Sequence, residues 1–206
     1  PRQGMGFNEM TAKQRKLAFG LVGAGLSVKG LKLTQDIRKL NGTLGELTGR
    51  HDEYTEWLYW ITIMGDPSTT EPWGWQLDGH HVVINHFVLG DQVVMTPLFV
   101  GSEPVAAKSG KFKGTIILQA EQAKGLEMIN VLDAKQQAKA IVQKEKPGNN
   151  GSLEAFHDNV LIPYAGLKAS EMTSSQRETL MELIALYVGN TRADQAKVRM
   201  SEVERH

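Results

Sequence analysis

The stretch from Glu71 to Phe87, EPWGWQLDGHHVVINHF, holds the residues of this sequence best suited to bond-making chemistry. It contains two tryptophans, an aspartate and three of the 6 histidines, and the chain has no cysteine. Imidazole and carboxylate ligands without thiolates suit zinc, iron or copper, and an imidazole can exchange protons near neutral pH. The stretch therefore predicts either a metal or catalytic site or a strand whose histidines are structural.

Spacing limits how these histidines could share an ion. If residues 80–89 form a regular strand, side chains alternate between its faces, so His80 and His86 lie on one face and His81 on the other. His80 and His86 are then about 20 Å apart along the strand. At most one of the three could bind a given ion, unless Gly79 permits a β-bulge that redirects His80 and His81. Spacing alone favours a structural role.

Further ligands or acid–base groups have to come from other parts of the chain. No spacing matches a known motif such as His-Glu-x-x-His. We take Asp78 and Glu56 as the acid–base candidates, and a carboxylate beside a histidine can also simply orient the ring. The wider set of candidate metal partners comprises His51, Asp52, Glu53, Glu56, Asp78, His157 and Asp158.

The two tryptophans of the stretch have two interpretations. Trp73 and Trp75 flank Gly74 in a segment that we predict to be an irregular loop. Loops at the end of a rigid sheet often carry sites, so the indoles could form the walls of a substrate cleft beside His80 and His81. Large aromatic residues with one polar atom also commonly cover a core. The sequence favours neither interpretation.

Charge and hydropathy exclude two classes of partner. Lys plus Arg and Asp plus Glu both number 23, so the chain lacks the excess of basic residues on which nucleic-acid binding depends. No apolar run approaches the roughly 18 residues that a membrane-spanning helix needs. The absence of cysteine excludes disulfides and thiolate sites and leaves the cellular compartment open.

Three segments begin with the spacing of a helix capping box, in which a side chain and a glutamine three residues later bond each other's backbone N–H groups. These are Thr11 with Gln14, Asp133 with Gln136, and Thr173 with Gln176. The near-repeat of EMTAKQR and EMTSSQR follows from this shared rule rather than from a duplicated unit. A further helix has an apolar stripe over 33–47 and a stop at Gly49.

Between these helices lie β-rich segments. Residues 54–64 predict a strand, and Gly90-Asp91 is a two-residue turn that joins 80–89 to 92–100 in a hairpin. Residues 114–119 predict a further short strand. The order predicts an α+β fold with an N-terminal helical hairpin, a central antiparallel sheet and C-terminal helices.

The two ends of the sequence resemble cut ends. The chain begins PRQGMGF, without an initiator methionine or a signal segment. Residues 193–206 form an amphipathic helical stripe that no glycine or proline terminates. We expect residues 1–206 to be a single domain and a fragment of a longer domain that lacks both ends.

Five segments together resemble the domain-of-unknown-function family numbered three thousand five hundred. They are PRQGMGFNEMTAKQR, PWGWQLDGHH, TPLFVGSEP, LYVGN and VRMSEV, and they span nearly the whole chain. The resemblance implies an often secreted domain that continues beyond both ends of this sequence. It also implies a C-terminal strand region with a His-x-His pair, a segment of the same protein that would meet the Gly-His-His motif at Gly79, His80 and His81. His86 stands where the family usually has an aromatic residue.

The leading hypothesis is a secreted or periplasmic enzyme with hydrolytic or oxidative chemistry. Its divalent zinc, copper or iron ion would be bound by His80 or His81. A rival is a non-catalytic ligand-binding module with an aromatic platform of Trp57, Trp60, Trp73 and Trp75 and structural histidines. A third hypothesis is an assembly module or homo-oligomer in which the strand edge at 92–100 pairs with another chain.

Overall fold

A computed structural model describes residues 3–145, 161 and 163–206, except for the side chain of Pro97. A 3₁₀ turn at Ala169–Glu171 lies just before the helix that begins at Ser174. The strands and helices confirm the predicted α+β fold. In chain order they are β1 (Met5–Gly6), α1 (Ala12–Gly25), α2 (Val28–Thr48), β2 (Tyr59–Met64), β3 (Trp73–Gly79), β4 (Val82–Leu89), β5 (Gln92–Val100), α3 (Gln119–Asn130), α4 (Ala134–Ala140), α5 (Ser174–Val188) and α6 (Ala193–Arg205).

Helices α1 and α2 form the predicted N-terminal helical pair. The Thr11 hydroxyl accepts the Gln14 backbone N–H, and the Gln14 side chain accepts the Thr11 N–H, which confirms the first capping box. Only Leu26 and Ser27 separate α1 from α2, and the Ser27 side chain caps α2. Helix α2 ends at Gly49, whose φ of 71° is the left-handed conformation that glycine adopts readily.

The strands form one five-stranded antiparallel sheet in the sequential order β1-β2-β3-β4-β5. The predicted hairpin is confirmed, because Leu89 pairs with Gln92 across Gly90 and Asp91. Gly90 has a φ of +61°, as a two-residue hairpin turn requires. A register shift between Ile84 and His86 introduces a bulge into the β4–β5 pairing.

Four strand predictions differ from the structure. The strand predicted over 54–64 begins only at Tyr59. The predicted loop before Gly79 contains strand β3, which begins at Trp73, and the predicted strand that began at His80 instead begins at Val82. Pro72 and Gly74 hide the period-two pattern of β3 because both residues normally indicate turns. Residues 114–119 contribute only an isolated bridge between Ala106 and Ile116, and the chain then enters α3.

The apolar stripe of α2 and the inner face of the sheet share one core. Tyr59, Trp75, Leu77 and Ile84 are almost completely inaccessible to solvent. Burial of such side chains contributes about 1.5–3 kcal/mol each. The helical residues of the same core cluster include Val22, Leu26, Leu33, Ile37 and Leu40.

The chain divides into two compact units. One unit comprises the residues up to Gln119 together with Leu186–His206, and the other comprises Ala120–Ala185. The prediction of a single domain over 1–206 stays a prediction. Among the described residues, no helix is both long and apolar enough to cross a bilayer.

In the first unit, the LYVGN segment returns to the start of α2. The Ser27 hydroxyl donates to Gly189 O at 2.7 Å, and the Ser27 N–H donates to Asn190 O at 3.0 Å. A Cβ on Gly30 would lie 2.0 Å from Asn190 O, so glycine is required there. The LYVGN segment therefore fixes Ser27, the N-cap residue of α2, through backbone carbonyls.

In the second unit, the two remaining capping boxes face each other. Gln136 Nε2 donates to Gln176 Oε1 at 3.0 Å, and Gln176 Nε2 donates to Gln136 Oε1 at 2.8 Å. Gln136 also donates to Glu171 O and Gln176 to Val131 O. The glutamine of each box thus joins the starts of α4 and α5, in addition to capping its own helix.

Candidate functional site

The candidate site is centred on His80 and His81, the histidine pair, which forms the two-residue turn between β3 and β4. Gly79 pairs with Val82 across this turn, and His81 has a φ of +63°, unusual for a residue with a side chain. The ring centroids of the pair are 4.0 Å apart at an interplanar angle of 51°. The expectation that the two rings lie on opposite strand faces was wrong, because the residues belong to a turn.

Gly79 is required by the aromatic ring beside it. A Cβ at Gly79 would lie 2.1 Å from Cδ1 of Tyr59, far inside contact distance. The Tyr59 ring is completely buried, and its hydroxyl donates to the His80 carbonyl at 2.8 Å. Tyr59 therefore positions the backbone of the turn and excludes any larger residue at Gly79, the last residue of β3.

Asn41 of α2 orients the His80 ring. Asn41 Nδ2 donates to Thr55 O at 2.8 Å, which leaves the amide oxygen facing His80. His80 Nδ1 lies 2.8 Å from this Oδ1. Because an amide oxygen only accepts hydrogen bonds, Nδ1 carries the proton and the lone pair of the neutral ring is on Nε2. This is the tautomer of a histidine that binds a metal or accepts a proton through Nε2.

His81 is held next to the end of β5. Its carbonyl accepts the N–H of Gly101 at 2.8 Å. A Cβ at Gly101 would come within 3.2 Å of His81 Nδ1, so the small residue leaves space for the ring. The VGSEP segment thus contributes a backbone contact to the histidine pair.

His86 is outside this site. It lies on the inner face of β4 with Val82 and Ile84, as alternation predicted, and is 7% exposed. Its ring stacks on Trp75 with centroids 4.9 Å apart and planes 9° apart. Neither ring nitrogen has a hydrogen-bond partner among the described residues, and burial lowers the pKa of His86. The neutral ring acts as an aromatic packing group.

The two tryptophans lie in β3 rather than in a loop. Trp75 is 1% exposed, so its position leaves it no surface to offer a substrate. Trp73 is half-buried, packs against the core and donates from Nε1 to Ser68 O at 2.9 Å. The structure therefore does not bring either indole to a cleft beside the histidine pair. Their predicted role in substrate binding stays a prediction.

The two acid–base candidates have different surroundings. Glu56 forms an ion pair with Lys111 at 2.5 Å, and its carboxylate lies against Gly42, the residue after Asn41. It is thus near the helix segment that orients His80. Asp78 pairs with Val83 in the sheet, and alternation directs its side chain to the face opposite Leu77. The structure does not bring Asp78 to the His80 ring.

The other candidate ligands do not complete a metal site. His51, Asp52 and Glu53 are exposed after α2, and Glu53 pairs with Arg50. His157 and Asp158 lie outside the described residues. Within the described part of the chain, no group of three or more His, Cys, Asp or Glu side chains could hold an ion. The metal prediction therefore concerns the histidine pair alone.

Sequence analysis missed Asn41 and Tyr59, which position the pair, and Arg38, one turn before Asn41. A signal was present, since α2 carries a second buried stripe at the same helical spacing as its apolar one. Thr34, Arg38 and Asn41 are 1%, 5% and 3% exposed, respectively. Polar residues that repeat with helical periodicity beside an apolar stripe indicate partners across the core.

The comparisons with known proteins identify one family. No curated protein and no solved structure matched the chain significantly. The family model described as Protein of unknown function (DUF3500) matches residues 1–206, and the chain therefore belongs to this family.

Proposed function

We propose that the protein is a metal-dependent enzyme in which His80 binds the ion through Nε2 and His81 assists. The observation that carries the proposal is the link from Thr55 O through the Asn41 amide to His80 Nδ1. Metal-binding histidines characteristically donate their other ring N–H to an oxygen, which sets the tautomer and strengthens the ligand. The residues present fit an imidazole-bound divalent ion of zinc, copper or iron.

The chain's own residues would prepare the site in three ways. The Tyr59 hydroxyl fixes the backbone of the turn by donating a hydrogen bond to the His80 carbonyl. Asn41 keeps the proton on Nδ1, so Nε2 is the ring atom left to bind an ion or accept a proton. Glu56, near the same turn of α2, is the better acid–base candidate, and Lys111 holds its carboxylate. A bound ion would supply Lewis acidity and a more acidic water.

Two further elements of the proposal rest on family resemblance. The remaining ligands would come from the His-x-His pair expected in the family, and the protein would work in a secreted or periplasmic setting. Hydrolytic and oxidative chemistry both remain compatible with an imidazole site.

The rival functions receive less support from the geometry. An aromatic platform requires exposed indoles, but Trp75 is buried and Trp57 packs under two guanidinium groups. Pairing of another chain with β5 requires a regular edge strand. Pro97 of β5 has no N–H, and the pairing of β5 with β4 contains a register shift. Val94 and Phe99 are about half exposed on β5, which favours an interface.

Metal binding by a protein that includes the expected His-x-His segment tests the proposal. Zinc, copper and iron are titrated into chelator-stripped wild type, His80→Ala, Asn41→Ser and His51→Ala, with calorimetry and elemental mass spectrometry as readouts. His51 is an exposed histidine and serves as the matched control. We expect stoichiometric binding that His80→Ala abolishes and His51→Ala preserves. Asn41→Ser should weaken affinity about 10–100-fold.

Two results would overturn this function. One is a wild type that binds none of the three ions, and the other is equal loss in His80→Ala and His51→Ala, which indicates adventitious surface binding. Nitrogen-15 NMR of the imidazoles in wild type is a further test, and it does not require any variant to fold. A His80 ring protonated on Nε2 in wild type would remove the basis for the proposed ligand atom.

A further inference from the structure

Two guanidinium groups share one indole in the first unit. The Cζ atoms of Arg15 and Arg38 lie 4.5 Å and 4.6 Å from the ring centre of Trp57. Arg15 comes from α1, Arg38 from α2, and Trp57 from the segment before β2. We call these three residues the arginine–tryptophan cluster. Two positive charges therefore lie against a single indole.

Arg38 is a buried cation. It is 5% exposed and also packs over Phe19 at 4.5 Å and Phe7 at 5.5 Å. Aromatic faces attract a cation, but such contacts replace only part of its hydration. Burial, reinforced by the nearby charge of Arg15, lowers the pKa of Arg38 to about 10. The group stays protonated at neutral pH and therefore carries a buried positive charge.

Neither arginine has a carboxylate partner among the described residues. Arg38 donates from Nε to Glu56 O at 2.9 Å, and Arg15 donates from Nη1 to Phe7 O at 3.0 Å. Both acceptors are backbone carbonyls without net charge. The carboxylate of Glu56 exerts some attraction on Arg38 but is bonded to Lys111. A buried charge without a directly bonded counter-ion is unfavourable.

The terminal amino groups of Arg38 remain available to donate hydrogen bonds to a ligand. Nη1 and Nη2 of Arg38 make no hydrogen bond within the described part of the chain, and neither is sealed completely from solvent. Arg15 is half-buried, so it connects the cluster to the surface. Guanidinium groups bind planar or tetrahedral oxyanions with two parallel hydrogen bonds.

We infer that the arginine–tryptophan cluster binds an oxyanion, the carboxylate or phosphate group of a ligand. Arg15 would receive the anion at the surface and Arg38 would neutralise it from within the aromatic layer. The inference does not require metal binding at the histidine pair, because none of the three residues is a proposed metal ligand. Arg38 lies one helical turn from Asn41, so the two sites share α2 as their support.

Thermal unfolding of the full chain with simple anions tests the inference. The probes are inorganic phosphate and acetate, each compared with chloride at equal ionic strength, in wild type, Arg15→Gln and Lys16→Gln. Lys16 is an exposed cation on the same helix, so its variant removes the same charge outside the cluster. We expect the midpoint of wild type and Lys16→Gln to rise by about 3–6 °C at ten times the dissociation constant. Arg15→Gln should lose this rise.

The control separates a site from general salt effects, because phosphate stabilises many proteins by exclusion from their surfaces. An equal rise in Arg15→Gln and Lys16→Gln, or no rise above chloride with either anion, overturns the inference. A response to phosphate alone assigns a phosphate ligand, and a response to acetate assigns a carboxylate.

NMR of the arginine side chains provides a second measurement on wild type, which does not depend on any variant folding. The Nε–Hε signals of Arg15 and Arg38 should shift with the effective anion and saturate. The signal of Arg199, exposed on α6, should stay in place and serves as the internal reference. Uniform movement of all three signals, or none at all, contradicts an oxyanion site at the cluster.

Discussion

The imidazole of His86 lies flat on the indole of Trp75, with ring planes 9° apart. A Cβ at Gly25 would lie 2.7 Å from this imidazole and 3.0 Å from the indole, so the end of α1 lies against both rings. The stack works only for a neutral histidine, because protonation would place an unpaired charge in the core.

This stack predicts that acid destabilises the protein through His86. Burial lowers the folded-state pKa of His86, while the unfolded chain titrates near 6.5. Below about pH 6.5 the unfolded state binds more protons, so the free energy of unfolding falls by up to about 1.4 kcal/mol per pH unit until the lowered folded pKa is reached. Urea unfolding between pH 7.5 and 5 should show a smaller loss in His86→Phe than in wild type. His51→Ala should match wild type, and equal pH profiles in all three proteins would contradict the assignment.

Gly79→Ala should be strongly destabilising. The new methyl group would enter the buried ring of Tyr59, and an overpacked core costs roughly 1–3 kcal/mol. Gly20→Ala is the matched control, because no atom lies within 4 Å of its added Cβ and alanine favours the helix by about 0.5–1 kcal/mol. Chemical denaturation compares the two. Equal stability of Gly79→Ala and wild type would contradict the close packing of the Tyr59 ring on Gly79.

The paired glutamines predict coupling between the starts of α4 and α5. Gln136→Ala and Gln176→Ala each remove both reciprocal hydrogen bonds, so the double variant should lose less than the sum of the single losses. The coupling energy should be about 1 kcal/mol. Gln14→Ala, which alters the separate box of α1, should add independently to either variant. Strict additivity of Gln136→Ala and Gln176→Ala would show that the glutamines act only as caps.

The backbone at His81 predicts which residues the turn accepts. A φ of +63° is tolerated by asparagine but strained for a β-branched residue. His81→Val should therefore be less stable than His81→Asn by roughly 1–2 kcal/mol. Differential scanning calorimetry of the two variants at neutral pH tests the difference. If both melt together, the turn changes conformation when the imidazole is removed.

Local signals in the sequence predicted the local parts of the fold. The capping boxes, the Gly49 stop and the Gly90-Asp91 turn depend on residues within a few positions of each other, and each is present. Strand β3 was missed because Pro72 and Gly74 resemble loop residues. Gly74 is instead fully packed, since a Cβ there would lie 2.6 Å from His86 O.

The candidate site was only half accessible to sequence analysis. The histidine pair stands out by composition, but the position of its rings depends on a turn made by two histidines, where glycine or asparagine is usual. The orienting contact joins His80 to Asn41, which is 39 residues earlier. Such a contact follows from tertiary packing of α2 on the sheet, and no local rule predicts it.

The bond between Ser27 and Gly189 joins residues 162 positions apart. During synthesis, helices α1 and α2 and all five strands leave the ribosome long before this partner exists. Ser27 can cap α2 locally from the start, but its own bonds to the LYVGN segment must wait, and loop-closure entropy opposes that final contact. The unit that carries the histidine pair reaches its full stability late, after nearly the whole described chain has been made.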